Sequence, residues 1–217
     1  MATIENGWKR DDLEIKIEKD EYNRMGKSLT NFSRTLPNPQ SGIARETLKD
    51  PYNFDFLGLE DEAQERAIEM ALTSKIADFL LELGKGFAFV GRQVKLIVSE
   101  NEYFLDMLFY HLDLRCYIVV ELKAGKFKPE YAGKLNFYLS AIDAQMKHPD
   151  DNSPIGILLC KKKDKIEVEY SLKDINKPIG VSDYLLSRAV PENLLTKLPT
   201  VTELEDELAA RIKDESV

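Results

Sequence analysis

The strongest structural signal in this chain of 217 residues is the segment 103–128. Two apolar runs, rich in aromatic and β-branched residues, lie on either side of Leu112-Asp113-Leu114. This pattern is typical of two strands joined by a short turn, so it predicts a β-hairpin. Because both runs are almost continuously apolar, we expect a central pair of strands that is covered on both faces.

Three ionisable residues interrupt these apolar runs: Asp106 in the first, and Glu121 and Lys123 in the second. Charged side chains are rarely buried without partners, because removing them from water is costly. Asp106 and Glu121 lie at similar distances from the turn, so antiparallel pairing makes them neighbours with Cβ atoms about 5 Å apart. Glu121 and Lys123 share one face of their strand. Two adjacent carboxylates repel each other unless a cation lies between them, and a divalent metal ion or a lysine meets that need.

The pattern Asp-x14-Glu-x-Lys on a hairpin resembles the PD-(D/E)XK nuclease superfamily. Further blocks around it resemble the YhcG-type nucleases of bacteria, and the resemblance extends over about residues 50–199. One position departs from the superfamily pattern, because Leu105 stands where many members have a proline before the aspartate. The blocks are, in order, FLLELGKGFAFVGRQ (79–93), DMLFYH (106–111), ELK (121–123), FKPEYAGKLNFYL (127–139) and PIGILLC (154–160).

The resemblance implies an α/β fold: a restriction endonuclease-like mixed β-sheet flanked by helices and preceded by a mostly helical N-terminal extension. Residues 1–57 would then form the extension and residues 58–217 the nuclease domain. The implied activity is hydrolysis of phosphodiester bonds with Mg²⁺ or Mn²⁺, with DNA favoured over RNA, and similar nucleases that cut two strands can form homodimers. The alternative is a catalytically silent subunit that kept the fold and binds or assembles a DNA-processing or restriction-like complex.

By the same resemblance, the carboxylates of Asp106 and Glu121 and the main-chain carbonyl of Leu122 would hold the metal ion. Lys123 would orient or activate the attacking water and stabilise negative charge on the phosphoryl oxygens. The alternative without catalysis is a buried ion pair between these acids and the lysine.

Similar nucleases also use a glutamate from the helix before the first strand of the sheet, and Glu69 is the first candidate for that role here. Glu82 and Glu65 are the alternatives, and each of the three can instead be a solvated helix residue. Gln93 is a further catalytic candidate that would contact the water or a phosphate, although a hydrogen bond at a strand bend explains it equally well.

The charge balance limits how this chain can bind nucleic acid. Its formal net charge is −8, so attraction to a polyanion must come from a local basic surface. Lys134 and Tyr138 are one helical turn apart and share a face, although packing explains Tyr138 equally well. The lysines in 161–165 predict a solvated hairpin turn, with phosphate contact as the alternative. The candidate nucleic-acid contacts are Arg92, Lys126, Lys128, Lys134 and Tyr138.

Other features of the sequence concern the compartment. No apolar run approaches the roughly 20 residues of a membrane span, and the N-terminus has no signal-peptide pattern. Cys116 and Cys160 lie inside apolar runs, where buried thiols are expected and a disulfide is not. We therefore expect a cytoplasmic protein that does not contact a membrane.

Local patterns predict the remaining elements. Apolar residues at helical spacing, ended by two glycines, predict a long helix at 59–83. Pro129 marks the start of a helix that reaches about Lys147. The other predictions are a partly helical segment at 8–29, a loop at 30–45, strands at 87–90, 94–98, 155–160 and 166–170, a bend at 91–93, and helices at 182–188 and 201–213.

Overall fold

The computed structural model of the protein describes Ile17 and residues 20–186, so the helix predicted at 201–213 lies outside the described residues. The strands are β1 (Leu29–Thr30), β2 (Tyr52–Asn53), β3 (Phe87–Val98), β4 (Asn101–His111), β5 (Cys116–Lys126), β6 (Ile155–Lys162) and β7 (Ile179–Leu185). The α-helices are α1 (Glu21–Arg24), α2 (Phe32–Thr35), α3 (Gln40–Thr47), α4 (Glu65–Ser74), α5 (Ile76–Leu83), α6 (Pro129–Gln145) and α7 (Lys165–Leu172).

The strands form one mixed sheet in the order β1-β7-β6-β5-β4-β3, with β2 also paired to β7. β4 pairs antiparallel with both β3 and β5, whereas β6 pairs parallel with both β5 and β7. The predicted hairpin is therefore confirmed as β4 and β5, with its turn between His111 and Cys116. The expected α/β class with a mixed sheet flanked by helices is also confirmed.

Helices cover both faces of the sheet, which is why its central strands are almost continuously apolar. The crossover helices α6 and α7 lie on one face, where Leu135, Leu139 and Val168 are buried with residues of β5 and β6. Helices α4 and α5 lie on the opposite face, where Leu72 and Phe79 belong to the other layer of the core. The parallel strands need a crossover, because the end of one strand and the start of the next lie at opposite ends of the sheet along the strand direction.

The described part of the N-terminal segment packs on the same sheet. Strands β1 and β2 both pair with β7, and the side chains of Phe32, Leu48 and Phe54 are buried in the core layer that contains α5. Lys49 joins this segment to α5, since its ammonium contacts Glu21 at 2.8 Å and donates to the main-chain carbonyl of Glu82 at 2.6 Å. A domain boundary at residue 57 stays a prediction.

Several local predictions are wrong. Residues 166–170 belong to helix α7 rather than a strand, because Asp164 caps that helix by accepting hydrogen bonds from the amides of Ile166 and Glu167. Residues 182–185 belong to β7 rather than a helix, with Val181 and Tyr184 in opposite layers of the core. The segment 30–45 contains helical turns, 59–83 contains two helices instead of one, and 87–98 is one strand with a bulge.

The helices of residues 20–186 are too short or too polar to cross a membrane. The thiols of Cys116 and Cys160 are free and buried, as the sequence predicted.

Candidate active site

The site begins where β4 and β5 separate. Their register runs from His111 opposite Cys116 to Met107 opposite Val120, so Asp106 and Glu121 are the next residues on each strand. Beyond this point the main-chain pairing of β4 with β5 stops, and main-chain amides donate to side-chain carboxylates instead. The amide of Asp106 donates to Glu121 Oε1 at 3.3 Å, and the amide of Leu122 donates to Asp106 Oδ2 at 2.9 Å. The two predicted carboxylates are therefore neighbours at the point where the strands separate. We call this site, made of Asp106, Glu121, Leu122 and Lys123, the fork.

Lys123 places its ammonium in this fork. Its Nζ lies 3.6 Å from Asp106 Oδ2 and 3.8 Å from Glu121 Oε2, and it donates to the carbonyl of Leu122. A fourth oxygen, Glu65 Oε1, lies 2.6 Å from the same Nζ. Burial lowers the pKa of Lys123, but Asp106 and the neighbouring glutamates outweigh that effect and raise it overall. The ammonium is therefore charged, buried and surrounded by oxygen atoms.

Glu121 is the most buried acid of the fork, with 1% of its surface exposed. Burial, and then the nearby charge of Asp106, raise the pKa of Glu121 to about 7. Lys134 on α6 opposes this increase, since its Nζ lies 3.1 Å from Glu121 Oε2. The Lys134 side chain is 44% exposed and its Nζ lies 5.0 Å from the ring centre of Tyr138.

The structure separates the three candidate helix glutamates. Glu65 contacts Lys123, whereas Glu69 accepts a hydrogen bond from Gln93 Nε2 at 2.8 Å. Burial raises the pKa of Glu69, and the charge of Asp106 adds to the increase. Glu82 lies elsewhere, because its carboxylate pairs with Arg24 and accepts from the amide of Asn53. The sequence predicted Glu69 first, with Glu65 as an alternative, although the spacing of four residues places both on one helix face.

Gln93 adopts a left-handed backbone conformation with φ of 45°, which is uncommon for a residue other than glycine. Its neighbours Arg92 and Val94 pair with Met107 and Leu105, so Gln93 lies opposite Asp106 in the register. Backbone strain of this kind concentrates at functional sites. Gln93 therefore links Glu69 to the strand position that faces Asp106.

The candidate nucleic-acid contacts differ in their surroundings. Arg92 and Lys128 are exposed, and Lys126 is exposed with its ammonium 3.1 Å from Glu167. Tyr138 is 3% exposed, with its ring packed near Tyr103 and Phe137.

The lysines predicted to occupy a hairpin turn instead lie where β6 ends and α7 begins: Lys161 and Lys162 end the strand, and Lys165 starts the helix. The side chain of Lys163 is 8% exposed, and its ammonium lies 2.6 Å from Asp50 Oδ2 and 3.1 Å from Asp183 Oδ2. Lys163 therefore joins the N-terminal segment to the sheet instead of facing solvent.

The donor atoms of the fork fit a hard divalent cation. Oxygen atoms of two carboxylates and of the Leu122 carbonyl lie around the Lys123 ammonium. Mg²⁺ is commonly bound by one or two carboxylates with water completing its shell, so a set of this size is sufficient. Within residues 20–186, no group of three or more His, Cys, Asp and Glu side chains is arranged to hold a metal ion. The fit therefore depends on the main-chain carbonyl and on water.

Two solved structures are distantly similar to this chain. A repair endonuclease from Pyrococcus abyssi is 16% identical with a TM-score of 0.39, over 61% of this chain and 50% of that chain. The EndoMS–dsDNA2 complex is 15% identical with a TM-score of 0.38, over 54% of this chain and 46% of that chain.

The sequence identifies the family of this chain. An Escherichia coli (strain K12) protein named "Putative nuclease YhcG" is 35% identical over 209 residues, which is 95% of this chain. Those residues are 53% of the E. coli protein, so the chain spans about half the length of that relative. The family model described as the YhcG PDDEXK nuclease domain matches residues 45–199. The resemblance in the sequence is thereby confirmed, and the chain belongs to the YhcG family of PDDEXK nuclease domains.

Proposed function

We propose that this chain is a metal-dependent nuclease that hydrolyses phosphodiester bonds, with DNA preferred over RNA. The observation that carries the proposal is the fork between β4 and β5. There two carboxylates, a main-chain carbonyl and a buried ammonium meet, with both carboxylates within 3.8 Å of the Lys123 Nζ. Membership of the YhcG nuclease family supports the same activity. DNA is preferred because most nucleases that resemble this chain act on DNA.

Asp106, Glu121 and the Leu122 carbonyl would hold Mg²⁺ or Mn²⁺. When bound, the ion would polarise a phosphoryl oxygen and lower the pKa of a coordinated water. Burial of both carboxylates keeps competing water from their oxygens and makes their charge more effective than at the surface.

Lys123 would orient the attacking water and stabilise negative charge on the phosphoryl group. The role requires a permanent positive charge, and the neighbouring acids maintain that charge by raising the Lys123 pKa. Glu65 would keep the ammonium in position through its contact at 2.6 Å. On the other side of Asp106, Glu69 and Gln93 would contact the water or the scissile phosphate as a hydrogen-bonded pair.

The substrate backbone would follow a local basic surface made of Arg92, Lys126, Lys128 and Lys134. A local surface is required because the chain as a whole carries a net charge of −8. Tyr138 is buried, so we assign it the task of supporting the Lys134 ammonium through its ring.

Cleavage assays test the proposal directly. Purified protein with Mg²⁺ or Mn²⁺ should cut duplex or branched DNA, and EDTA should stop the reaction. Asp106→Asn and Lys123→Met should each lower the rate by at least roughly a hundredfold with the fold intact. Lys95→Met is a matched control, because Lys95 forms an exposed pair with Glu102 and should leave the rate unchanged. Wild-type rates for Asp106→Asn or Lys123→Met would refute the assignment of the site.

One observation favours a second candidate function, a binding or assembly module without catalysis. Lys123 and Lys134 already supply two positive charges to Asp106 and Glu121, so the fork is electrically balanced without a metal ion. A module of this kind would bind nucleic acid and cut none of the DNA or RNA substrates in either metal. Metal-dependent cutting by the wild type would exclude it.

A further inference from the structure

Two lysines share the carboxylate of Glu121, and the structure holds them differently. Lys123 is 9% exposed and also contacts Glu65 and the Leu122 carbonyl. Lys134 is 44% exposed, and Glu121 is the only acid among residues 20–186 that forms an ion pair with it. The Lys134 side chain is therefore less confined than Lys123, which is enclosed by oxygen atoms.

A metal ion at Glu121 would compete with Lys134 for the same atom. Lys134 Nζ lies 3.1 Å from Glu121 Oε2, and a bound Mg²⁺ ion would lie about 2.1 Å from a carboxylate oxygen. Two cations so close to one oxygen repel each other. Glu121 is 1% exposed, and Lys123 lies further from this oxygen, at 3.8 Å, and is held by other oxygen atoms. The more exposed and flexible Lys134 is therefore the cation that can most easily leave Glu121.

We propose that Lys134 is a displaceable countercharge: it neutralises Glu121 in the metal-free protein, leaves when the metal binds, and then binds a phosphate of the substrate. The inference rests on the proposed function and specifies the condition, a metal ion at Glu121, under which Lys134 becomes available to the substrate. Helix α6 keeps the released ammonium beside the fork, and the Tyr138 ring, 5.0 Å away, offers it a second favourable contact. Metal binding thereby creates a phosphate contact that the metal-free protein lacks.

The first test measures metal affinity. Titration with Mn²⁺ at pH 8, by calorimetry or electron paramagnetic resonance, compares wild type with Lys134→Met and Lys147→Met. Removing the competing cation should tighten Mn²⁺ binding by roughly fivefold, the strength of a half-exposed ion pair. Lys147 is the control, because it pairs with Asp143 at 3.2 Å and lies just past the C-terminal end of α6, roughly 20 Å from Lys134. Its loss should leave the affinity unchanged.

The second test measures DNA binding with and without metal. Affinity for a duplex is measured in Ca²⁺ and in EDTA at several salt concentrations, with gels to verify that the DNA stays uncut. In Ca²⁺, Lys134→Met should weaken binding and reduce the log–log salt slope by roughly 0.9, the value for one phosphate contact. In EDTA the same variant should bind like wild type, because Glu121 then occupies the ammonium.

The outcomes separate this inference from the proposed function. Unchanged or weaker Mn²⁺ binding by Lys134→Met would overturn the inference, and so would an equal loss of DNA affinity in Ca²⁺ and EDTA. Wild type that cuts DNA while Lys134→Met behaves like Lys147→Met would overturn the inference alone. Wild type that binds neither Mn²⁺ nor nucleic acid would overturn both. If methionine at 134 prevents folding, Lys134→Gln provides the same comparisons.

Discussion

Glu121 should make the metal-free protein less stable as the pH rises. The folded-state pKa of Glu121 is about 7, above its ordinary value of 4.5, because the carboxylate is buried and lies beside Asp106. The folded state therefore holds the proton more strongly than the unfolded state. The resulting stabilisation is complete below pH 4.5 and is lost as the pH rises through 7.

The size of the effect follows from the same two values. Each pKa unit corresponds to about 1.4 kcal/mol, so the loss across this window is on the order of 3 kcal/mol. Glu121→Gln carries a permanently neutral side chain of nearly the same shape. The variant should match wild type near pH 4.5 and exceed its free energy of unfolding by about 3 kcal/mol near pH 8.

Urea unfolding in EDTA at pH 4.5, 6, 7 and 8 measures the difference. Glu102→Gln is the matched control, because Glu102 forms an exposed pair with Lys95 and should differ from wild type by less than about 1 kcal/mol throughout. Parallel curves for wild type and Glu121→Gln, or a variant that is less stable at pH 8, would refute the burial argument for this carboxylate.

Three further predictions concern metal, packing and assembly. Millimolar Mn²⁺ should raise the melting temperature, because it binds only the folded state, and Asp106→Asn should remove most of that increase; an unchanged wild-type value would count against a metal site. Gly86→Ala should lower the free energy of unfolding by roughly 1–3 kcal/mol, because Gly86 has φ of 89° and a Cβ there would lie 2.5 Å from the His111 ring. Urea unfolding measures the change, and equal stability of the variant and the wild type would contradict the prediction. We also propose a homodimer, for which light scattering should give twice the chain mass of 24.8 kDa, and a monomer mass would exclude it.

The hairpin and its charges were predictable because they depend on local signals. Apolar runs on both sides of a turn define two strands, and a fixed number of residues from that turn places Asp106 beside Glu121. Glu121 and Lys123 are two positions apart, which places them on one face of their strand. The structure brings all three together, with both acids within 3.8 Å of the Lys123 ammonium.

The errors arose where contacts distant in sequence decide the outcome. The alternation of apolar and polar residues at 166–170 favours a strand, but the parallel pairing of β6 with β7 requires a crossover between them, and α7 supplies it. Lys163 belongs to a run of lysines that is typical of a solvent-exposed turn, yet it forms ion pairs with Asp50 and Asp183, which are distant in sequence. Glu65 and Glu69 share a helix face, so spacing alone does not select which of them contacts Lys123.

Anomalous diffraction from a crystal soaked in Mn²⁺ tests the central claim most directly. We predict a peak in the fork between β4 and β5, about 2.2 Å from an oxygen of Asp106 and an oxygen of Glu121. Lys134 should have moved away from Glu121 in the same crystal, and Asp106→Asn crystals should lack the peak. A soaked wild-type crystal at millimolar Mn²⁺ with no peak in the fork would contradict the assignment of a metal-dependent active site to these residues.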